Sequence, residues 1–514
     1  MMKKRIIGML LAICCCAALT GCVREKKNEL PPAPTLAPAN SPYNAPDGDE
    51  TVGQARESLI YLPAKNGLHL VPRTVRLEAA NLLDTAEALI LRLLKFEGDD
   101  QAEHPGGERQ LTLYGNHPIE ISGGVCTVNF SASALELDHS EFYRTALALS
   151  TTLCALEEIS YVNVLVNDQS VGMDITGNLA MGSLIGHPEE NLPVLWEQME
   201  AKRAPLGSNL SEAPMSALAT LYYPLREARG IGCATRLVTF QGQTPQQLAA
   251  NLLEEMSAVK ADMSGTPELP RISDFLLHEP LTSELEDGGR LITISFRENI
   301  EAQLTLWQTD LACLVAAVTT TLTTFIPGVA AVCVRMGDKP ITGLGSTRFA
   351  TITTLGGLIR RNMLEPYLMG SALVFFAQGG ALRECERPVK RNVADSPRAQ
   401  LCALMEGPDE REQKEGMTAT LPETLGEEDI LGIIAQEDTL LVNLSRRFRT
   451  AIQEAGAEKE MLLCYSIVNT LCLNTGMKRV RFFFEGEVVE NIAGQLYWAG
   501  EFLYNTGLSE QGLG

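Results

Sequence analysis

The chain has 514 residues and a formal net charge of −22, and 45% of its residues are hydrophobic. This length accommodates about three domains, and the composition is that of a globular protein with filled cores. The acidic balance argues against a nucleic-acid partner, whose phosphates would be repelled, and against broad contact with anionic lipid headgroups.

The N-terminus has the organisation of a lipoprotein signal peptide. Three cationic residues (3–5) precede an apolar run (6–19) that is too short to span a membrane as a mature helix. The sequence Leu-Thr-Gly-Cys that ends at Cys22 resembles a lipobox, in which the cysteine is acylated with fatty acids such as palmitate. We therefore predict a signal peptide at residues 1–21, lipidation of Cys22, and anchoring to the extracytoplasmic face of the cell membrane. The alternative is an ordinary signal peptide with an incidental cysteine.

Residues 22–50 are predicted to be a proline-rich, disordered linker. Their six prolines lie between Pro31 and Pro46, and the segment has almost no large apolar residues. A semi-extended linker at ~3.1 Å per residue would reach on the order of 80 Å from the membrane. It is either a spacer that lets the domains clear the membrane or wall, or a leader whose length has no particular role.

One pattern occurs three times along the rest of the chain: a β-hairpin, a helix, a strand pair, a second helix and a strand. Apolar residues alternate with polar ones in the strands that end at Phe130, Phe296 and Leu444. Hairpins with helices between strand pairs favour an α+β fold. We predict three tandem two-layer α/β sandwich domains at residues 58–185, 215–340 and 371–505, each an antiparallel or mixed sheet covered by two helices.

Several helix starts carry capping signatures, in which a side chain accepts a hydrogen bond from a free backbone N–H. Capping boxes are predicted at Asp84, Asp138 and Thr244, and a proline start is predicted at Pro397.

The segment 304–334 has one formal charge, Asp310, and its length would allow a membrane span. Gln308, the many threonines and the helix stop at Pro327 instead favour a single long helix in a buried core.

Searches for catalytic motifs find no G-x-S-x-G, H-E-x-x-H, Walker A or G-x-G-x-x-G sequence, and the six histidines are scattered. We predict no catalytic, cofactor or metal site and no enzyme activity. The acidic runs at 409–415 and 423–429 are interpreted as solvated loops. The nine cysteines after Cys22 form no C-x-x-C motif, so mostly buried free thiols are expected.

Two sets of polar positions recur in all three units. Asn129, Ser295 and Asn443 are predicted to lie on a solvated sheet face. The turns after the last strand, at 167–168, 337–338 and 485–486, are read either as a contact edge or, preferably, as ordinary turn chemistry.

The order of these segments resembles the GerMN domain of sporulation and spore-germination proteins. Residues 61–63, 70–73, 125–131 and 162–168 carry the resemblance in the first unit, 440–448 and 480–490 carry it in the third, and the second unit is more diverged. The resemblance implies a membrane-anchored lipoprotein whose fold is akin to the ring-building motifs of the sporulation channel. A third copy departs from the pair that is usual in the family.

These observations predict a non-catalytic scaffold that binds the membrane through the lipid on Cys22 and binds other envelope or sporulation proteins through sheet edges and helix faces. Homo-oligomerisation is compatible with this reading, whereas a nucleic-acid partner is not. The alternative is a cell-wall-associated enzyme or a ligand-binding lipoprotein, which a deep pocket with converging titratable groups would favour.

Overall fold

The computed structural model describes residues 43–49, 54–79, 81–173, 177–187, 191–201, 214–257, 269, 271–346, 348–390 and 396–508. The predicted signal peptide, Cys22 and most of the predicted linker lie outside these residues. Within the part of the chain that is described, no helix has the length and apolar character needed to cross a membrane.

Three long hairpins form two-stranded sheets of their own, and in each the two antiparallel strands pair over their full length. Hairpin 1 joins β1 (Gln54–Pro63) to β2 (Leu70–Ala79), hairpin 2 joins β7 (Met215–Pro224) to β8 (Ile231–Phe240), and hairpin 3 joins β16 (Met369–Gln378) to β17 (Ala381–Lys390).

Three sheets share one strand order, in which a parallel central pair is flanked by an antiparallel strand on each side. Sheet 1 contains β3 (Ile119–Ser122), β4 (Val125–Phe130), β5 (Tyr161–Val166) and β6 (Gln169–Ser170). Sheet 2 contains β9 (Leu281–Glu284), β10 (Arg290–Phe296), β11 (Val329–Met336) and β12 (Lys339–Pro340), with β15 (Leu358–Ile359) also paired to β11. Sheet 3 contains β18 (Ile430–Gln436), β19 (Thr439–Leu444), β20 (Arg479–Phe484) and β21 (Glu501–Leu503). A small ladder joins β13 (Gly343–Leu344) to β14 (Ile352–Thr353).

The helices of the described chain are α1 (Leu82–Leu94), α2 (His139–Leu153), α3 (Leu192–Ala201), α4 (Pro245–Met256), α5 (Ile300–Leu306), α6 (Leu311–Phe325), α7 (Pro397–Met405), α8 (Glu410–Lys414), α9 (Arg446–Ala455) and α10 (Ala457–Thr475). A parallel strand pair needs a crossover connection, and α2, α5 with α6, and α9 with α10 supply it in the three sheets. Mixed sheets with helical crossovers make the protein α+β, as predicted.

Each hairpin packs against a crossover helix, so that helix lies between a hairpin and a sheet. Helix side chains hold the first hairpin strand by its backbone: Tyr61 N donates to Thr152 Oγ1 at 2.9 Å, and Tyr222 N donates to Thr321 Oγ1 at 2.9 Å. In the third unit, Leu373 N donates to Asn474 Oδ1 at 2.9 Å. Coverage on two sides explains why α6 is buried along almost its whole length.

Two of the three predicted capping boxes are present in the structure. Asp138 and Thr244 form the expected reciprocal boxes at the starts of α2 and α4, and Pro397 begins α7. The prediction for Asp84 is wrong, because α1 begins earlier and Asn81 accepts the hydrogen bond from the Asp84 N–H. Asparagine and aspartate both favour this position, so the sequence offered two competing caps.

The predicted single helix through 304–322 is also wrong, because it is broken into α5 and α6. Gln308 adopts a left-handed backbone conformation with φ of 55° between them. Asp310 then caps α6 by accepting a hydrogen bond from Cys313 N at 2.8 Å. The charged residue in this apolar run is therefore a helix start. The prediction of a buried core helix is correct for α6.

The described residues form two hydrophobic cores. One runs from Ile60 to Leu368 and includes residues of sheets 1 and 2 together, and the other runs from Ala372 to Phe502 around sheet 3. The first two units therefore share apolar packing. The predicted domain boundaries stay a prediction.

Candidate functional site

The turns after the last parallel strand have the conformation of tight turns in all three sheets. Residues in the left-handed region are Asn167, Asp168, Gly337, Glu485 and Gly486. Each turn is closed by a backbone hydrogen bond to the end of the neighbouring strand, from Asn167 to Phe130, from Gly337 to Phe296 and from Glu485 to Leu444. The conformational needs of tight turns therefore explain these polar positions, which is the interpretation preferred over a contact edge.

Two strand asparagines support these turns. Asp168 N donates to Asn129 Oδ1 at 3.1 Å, and Asn129 Nδ2 donates to Asp168 Oδ1 at 2.7 Å. In sheet 3, Gly486 N donates to Asn443 Oδ1 at 3.0 Å. The corresponding residue of sheet 2 is Ser295, whose buried hydroxyl makes no hydrogen bond.

The prediction that Asn129, Ser295 and Asn443 face solvent is wrong. Their exposed fractions are 7%, 1% and 3%. The outer faces of sheets 1 and 3 are covered by segments that are distant in the sequence, and period-2 alternation cannot reveal such coverage because it reports only the two faces of one strand.

Hairpin 2 covers the outer face of sheet 1 through a buried polar network. Asn163 Nδ2 donates to Thr220 Oγ1 at 3.0 Å, and Ser183 Oγ donates to Asn163 Oδ1 at 2.6 Å. Ser183 N donates to Leu218 O at 2.7 Å. Because these groups satisfy one another out of water, the network fixes how hairpin 2 sits on sheet 1.

A buried ion pair lies beside this network and joins sheet 1 to the 3₁₀ turn Arg361–Tyr367. Arg361 Nη2 lies 2.7 Å from Glu120 Oε2, and Arg361 Nη1 donates to Thr324 Oγ1 at 2.6 Å. The guanidinium carbon lies 5.7 Å from the ring centroid of Tyr222. One arginine thus contacts β3, α6 and β7.

The electrostatics of this cluster favour the charged pair. Burial lowers the pKa of Arg361, but Glu120, Tyr222 and Asp168 outweigh it and raise the pKa above its ordinary value. Burial raises the pKa of Asp168, and Arg361 and Asn129 only partly oppose this effect.

A cavity of about 250 Å³ adjoins the pair and is lined by residues that include Thr127, Asn129, Leu165, Asp168 and Arg361. Converging titratable groups are the feature that a ligand-binding or catalytic reading requires. Here Arg361 pairs with Glu120, and the Asp168 carboxylate accepts a hydrogen bond from Asn129, while His117 and Glu365 also line the cavity. The arrangement is that of a locked contact between secondary-structure elements.

A second buried pair holds α8 against hairpin 3. Arg387 Nη1 donates to Glu412 Oε1 at 2.8 Å, its second terminal nitrogen also contacts Glu412, and its guanidinium carbon lies 4.8 Å from the ring centroid of Phe376. Charged groups of both signs line the adjoining cleft of about 610 Å³, which also reaches Arg229.

The prediction of solvated acidic loops is therefore wrong in part. Residues 410–414 form α8, with Glu412 buried in a capping box with Asp409. Asp429 is 1% exposed and accepts hydrogen bonds from Ser445 Oγ at 2.5 Å and from Gly426 N at 3.0 Å. Local acidic composition misses these roles because Arg387 and Ser445, which lie outside the two acidic runs, bond to the buried carboxylates. Among the described residues, no group of three or more His, Cys, Asp or Glu side chains is arranged to hold a metal ion.

Residues 43–49, which we call the strap, lie on the outer face of sheet 3. Asn443 Nδ2 donates to Pro46 O at 2.9 Å. Asp49 accepts hydrogen bonds from Ile433 N and Arg398 Nη2, each at 2.9 Å. The predicted disordered linker therefore ends in a segment that is bound, because its proline carbonyl and acidic side chain find partners on the C-terminal sheet.

Cys22, the predicted lipidation site, lies outside the described residues. The nine later cysteines are free thiols, and seven of them are buried, which confirms the prediction of mostly buried thiols. Burial raises the pKa of Cys385 to about 12 and that of Cys402 to about 11, so these thiols are poor nucleophiles at neutral pH.

The hairpins, sheets and interlocking contacts define an α+β protein built from hairpin–helix–sheet units. Residues 373–490 match the family model described as Germane: Sporulation and spore germination. The chain therefore carries a domain of this sporulation and spore-germination family, as the resemblance predicts, while the number of copies stays a prediction.

Three similar solved structures come from Bacillus subtilis and Clostridium perfringens. The tandem GerMN domains of the sporulation protein GerM from Bacillus subtilis match at 16% identity over 59% of this chain and 99% of that chain, with a TM-score of 0.21. The first GerMN domain of GerM matches at 15% identity over 26% of this chain and 97% of that chain, with a TM-score of 0.19. A candidate lipoprotein from Clostridium perfringens matches at 15% identity over 26% and 84%, with a TM-score of 0.16. No curated protein matches the sequence.

Proposed function

We propose that the protein is a lipid-anchored, extracytoplasmic lipoprotein that acts as a non-catalytic scaffold in a sporulation, germination or envelope protein complex. The match of residues 373–490 to the Germane family carries this proposal, because it connects the chain to sporulation and germination. The lipobox-like sequence that ends at Cys22 supports the anchor.

The buried polar clusters support a structural role for these residues rather than a catalytic one. Arg361 and Arg387 each pair with a glutamate and each contact several elements, which stabilises one arrangement of those elements. A catalytic group must instead reach a substrate. The proposal extends to three GerMN copies at 58–185, 215–340 and 371–505, and the shared strand order of the three sheets supports that division.

The anchor is tested by labelling cells with a palmitate analogue and separating their membranes. Cys22→Ala should abolish both labelling and membrane association, because the acylated thiol is gone. Cys16→Ala is the matched control, since it changes a cysteine within the predicted signal peptide and should leave both properties intact. Labelled, membrane-bound Cys22→Ala protein would show that the anchor lies elsewhere.

A further inference from the structure

The strap makes a specific set of contacts with sheet 3. The Asp49 carboxylate receives a backbone N–H from Ile433 and two guanidinium nitrogens from Arg398. Arg398 is held in place because it also donates to Ile430 O at 2.9 Å. Three donors that converge on one carboxylate form a recognition site for an acidic side chain.

The strap backbone also runs very close to the sheet. A Cβ atom placed on Gly432 would lie 2.6 Å from Gly48 N and 2.8 Å from Pro46 O. Glycine at this position therefore leaves room for the strap backbone to cross β18, and Asn443 contacts the strap through the Pro46 carbonyl.

A second charged group on the same face has no hydrogen-bond partner. Arg481 pairs with Leu441 across β19 and β20, which places it on the face that also carries Asn443 and Phe483. It is fully buried, and all three of its guanidinium nitrogens lack hydrogen-bond partners. A buried cation without a hydrogen-bonded anion is costly. Glu501 lies opposite Arg481 on β21 and acts on it through its charge without a hydrogen bond, and the nearby strap residue, Tyr43, carries no carboxylate.

Apolar side chains complete the surface. Leu441 and Phe483 are 0% and 2% exposed, although they face away from the core around sheet 3. A segment that replaces the strap must therefore lie against a face that is apolar as well as charged.

We propose that this face of sheet 3 is a binding site for an extended acidic segment of a partner protein, and that the strap occupies the site until the partner displaces it. The partner segment places one carboxylate on Arg398 and Ile433 N, as Asp49 does, and a second carboxylate on Arg481. The strap does not make the second contact. The partner segment therefore binds this face more tightly than the strap does.

This inference rests on the proposed scaffold role, because it supplies the chemistry of the scaffold's partner. Its test uses purified protein and peptides, so peptide binding can fail while the lipid anchor and the sporulation role stand, and the reverse also holds.

The experiment titrates the full-length chain with two fluorescent peptides that are capped at both ends. One has the strap sequence YNAPDGD, and the other, ENAPDGD, replaces the tyrosine with glutamate. Asp49→Asn weakens the strap without removing it and should raise peptide affinity by about tenfold over the unsubstituted chain. Asp47→Asn is the matched control, because it removes an exposed strap carboxylate and should leave the affinity unchanged.

In the Asp49→Asn chain, the glutamate peptide should bind about tenfold more tightly than the strap peptide, and Arg481→Gln should remove that preference. Adding Arg398→Gln should weaken both peptides. Equal affinities in the Asp49→Asn, Asp47→Asn and unsubstituted chains, or an unchanged preference after Arg481→Gln, would overturn the proposal.

Discussion

Glu120 and Arg361 are 11% and 5% exposed and connect sheet 1 to elements more than two hundred residues later in the chain. Glu120→Gln should destabilise the protein by about 3–5 kcal/mol, because it leaves the guanidinium charge buried without its carboxylate. The measurement is the free energy of unfolding in urea.

The neighbouring pair Arg360–Asp287 provides a control, because its side chains are 41% and 53% exposed. Asp287→Asn should leave the free energy of unfolding nearly unchanged, because solvent screens this exposed pair. If the Glu120 and Asp287 variants unfold at the same urea concentration, the buried pair does not lock these elements.

Asp168 gives a prediction for the pH dependence of stability. Burial raises its pKa above the ordinary value of 3.8, so the folded protein binds this proton more tightly than the unfolded chain does. The resulting contribution to stability is present at low pH and is lost as pH rises through the raised pKa. Asp168→Asn should therefore unfold at a higher temperature than the unsubstituted chain at pH 7, and the difference should shrink as pH falls.

Asparagine also tolerates the left-handed backbone conformation of residue 168, so the substitution adds no strain. Asp338→Asn changes an exposed aspartate in the corresponding turn of sheet 2 and serves as the control. A melting-temperature difference between the Asp168→Asn and unsubstituted chains that grows toward low pH would contradict the assignment.

The role of each of these residues could be predicted only where it depends on residues close to it in the sequence. The turn at Asp168 was recognisable from its residue types. Its contact with Asn129, the pairing of Glu120 with Arg361 and the burial of Glu412 depend on which segments meet in space. No signal of that pairing exists in a single sequence.

Hairpin docking is the main contact at the scale of elements. Asn474 Nδ2 donates to Leu373 O at 2.7 Å and Asn474 Oδ1 accepts from Leu373 N, so one side chain of α10 holds both backbone groups of a β16 residue. Asn474→Ala should cost about 1–3 kcal/mol, because it leaves these part-buried groups without partners. Thermal unfolding measures the effect.

Thr450→Ala is a suitable control, because the Thr450 hydroxyl is exposed and bonds only within its own helix, to Arg446 O. It should leave the melting temperature nearly unchanged. Equal melting temperatures for the Asn474 and Thr450 variants would mean that apolar packing alone holds the hairpin.

Most elements could be predicted from the sequence because their signals are short-range. Alternating apolar residues marked β4, β10 and β19, and capping boxes marked the starts of α2 and α4. The break between α5 and α6 was missed because helical spacing continues from Leu304 to Leu322 across it. The left-handed conformation of Gln308 left no residue-type signal, since glutamine is not favoured there.

The whole molecule is interlocked in ways that its sequence pattern does not show. Hairpin 2 covers sheet 1, and one core runs through sheets 1 and 2. The strap reaches sheet 3, where Pro46 and Asn443 meet across a sequence separation of 397. The three recurring patterns predicted the order of strands and helices along each unit. They could not predict which faces are covered, because those contacts join different units.

Crosslinking in sporulating cells tests the scaffold role most directly. A photoreactive residue at position 503, where Leu503 is 51% exposed in the edge strand β21, should capture envelope or sporulation proteins, and capture should be lost when Cys22→Ala removes the anchor. The same probe at position 355, where Leu355 is 91% exposed in the bend between β14 and β15 and outside sheet 3, controls for random capture. Specific adducts at 503 that depend on the anchor are the predicted result. An absence of adducts in sporulating cells, or identical adducts without the anchor, would contradict the account.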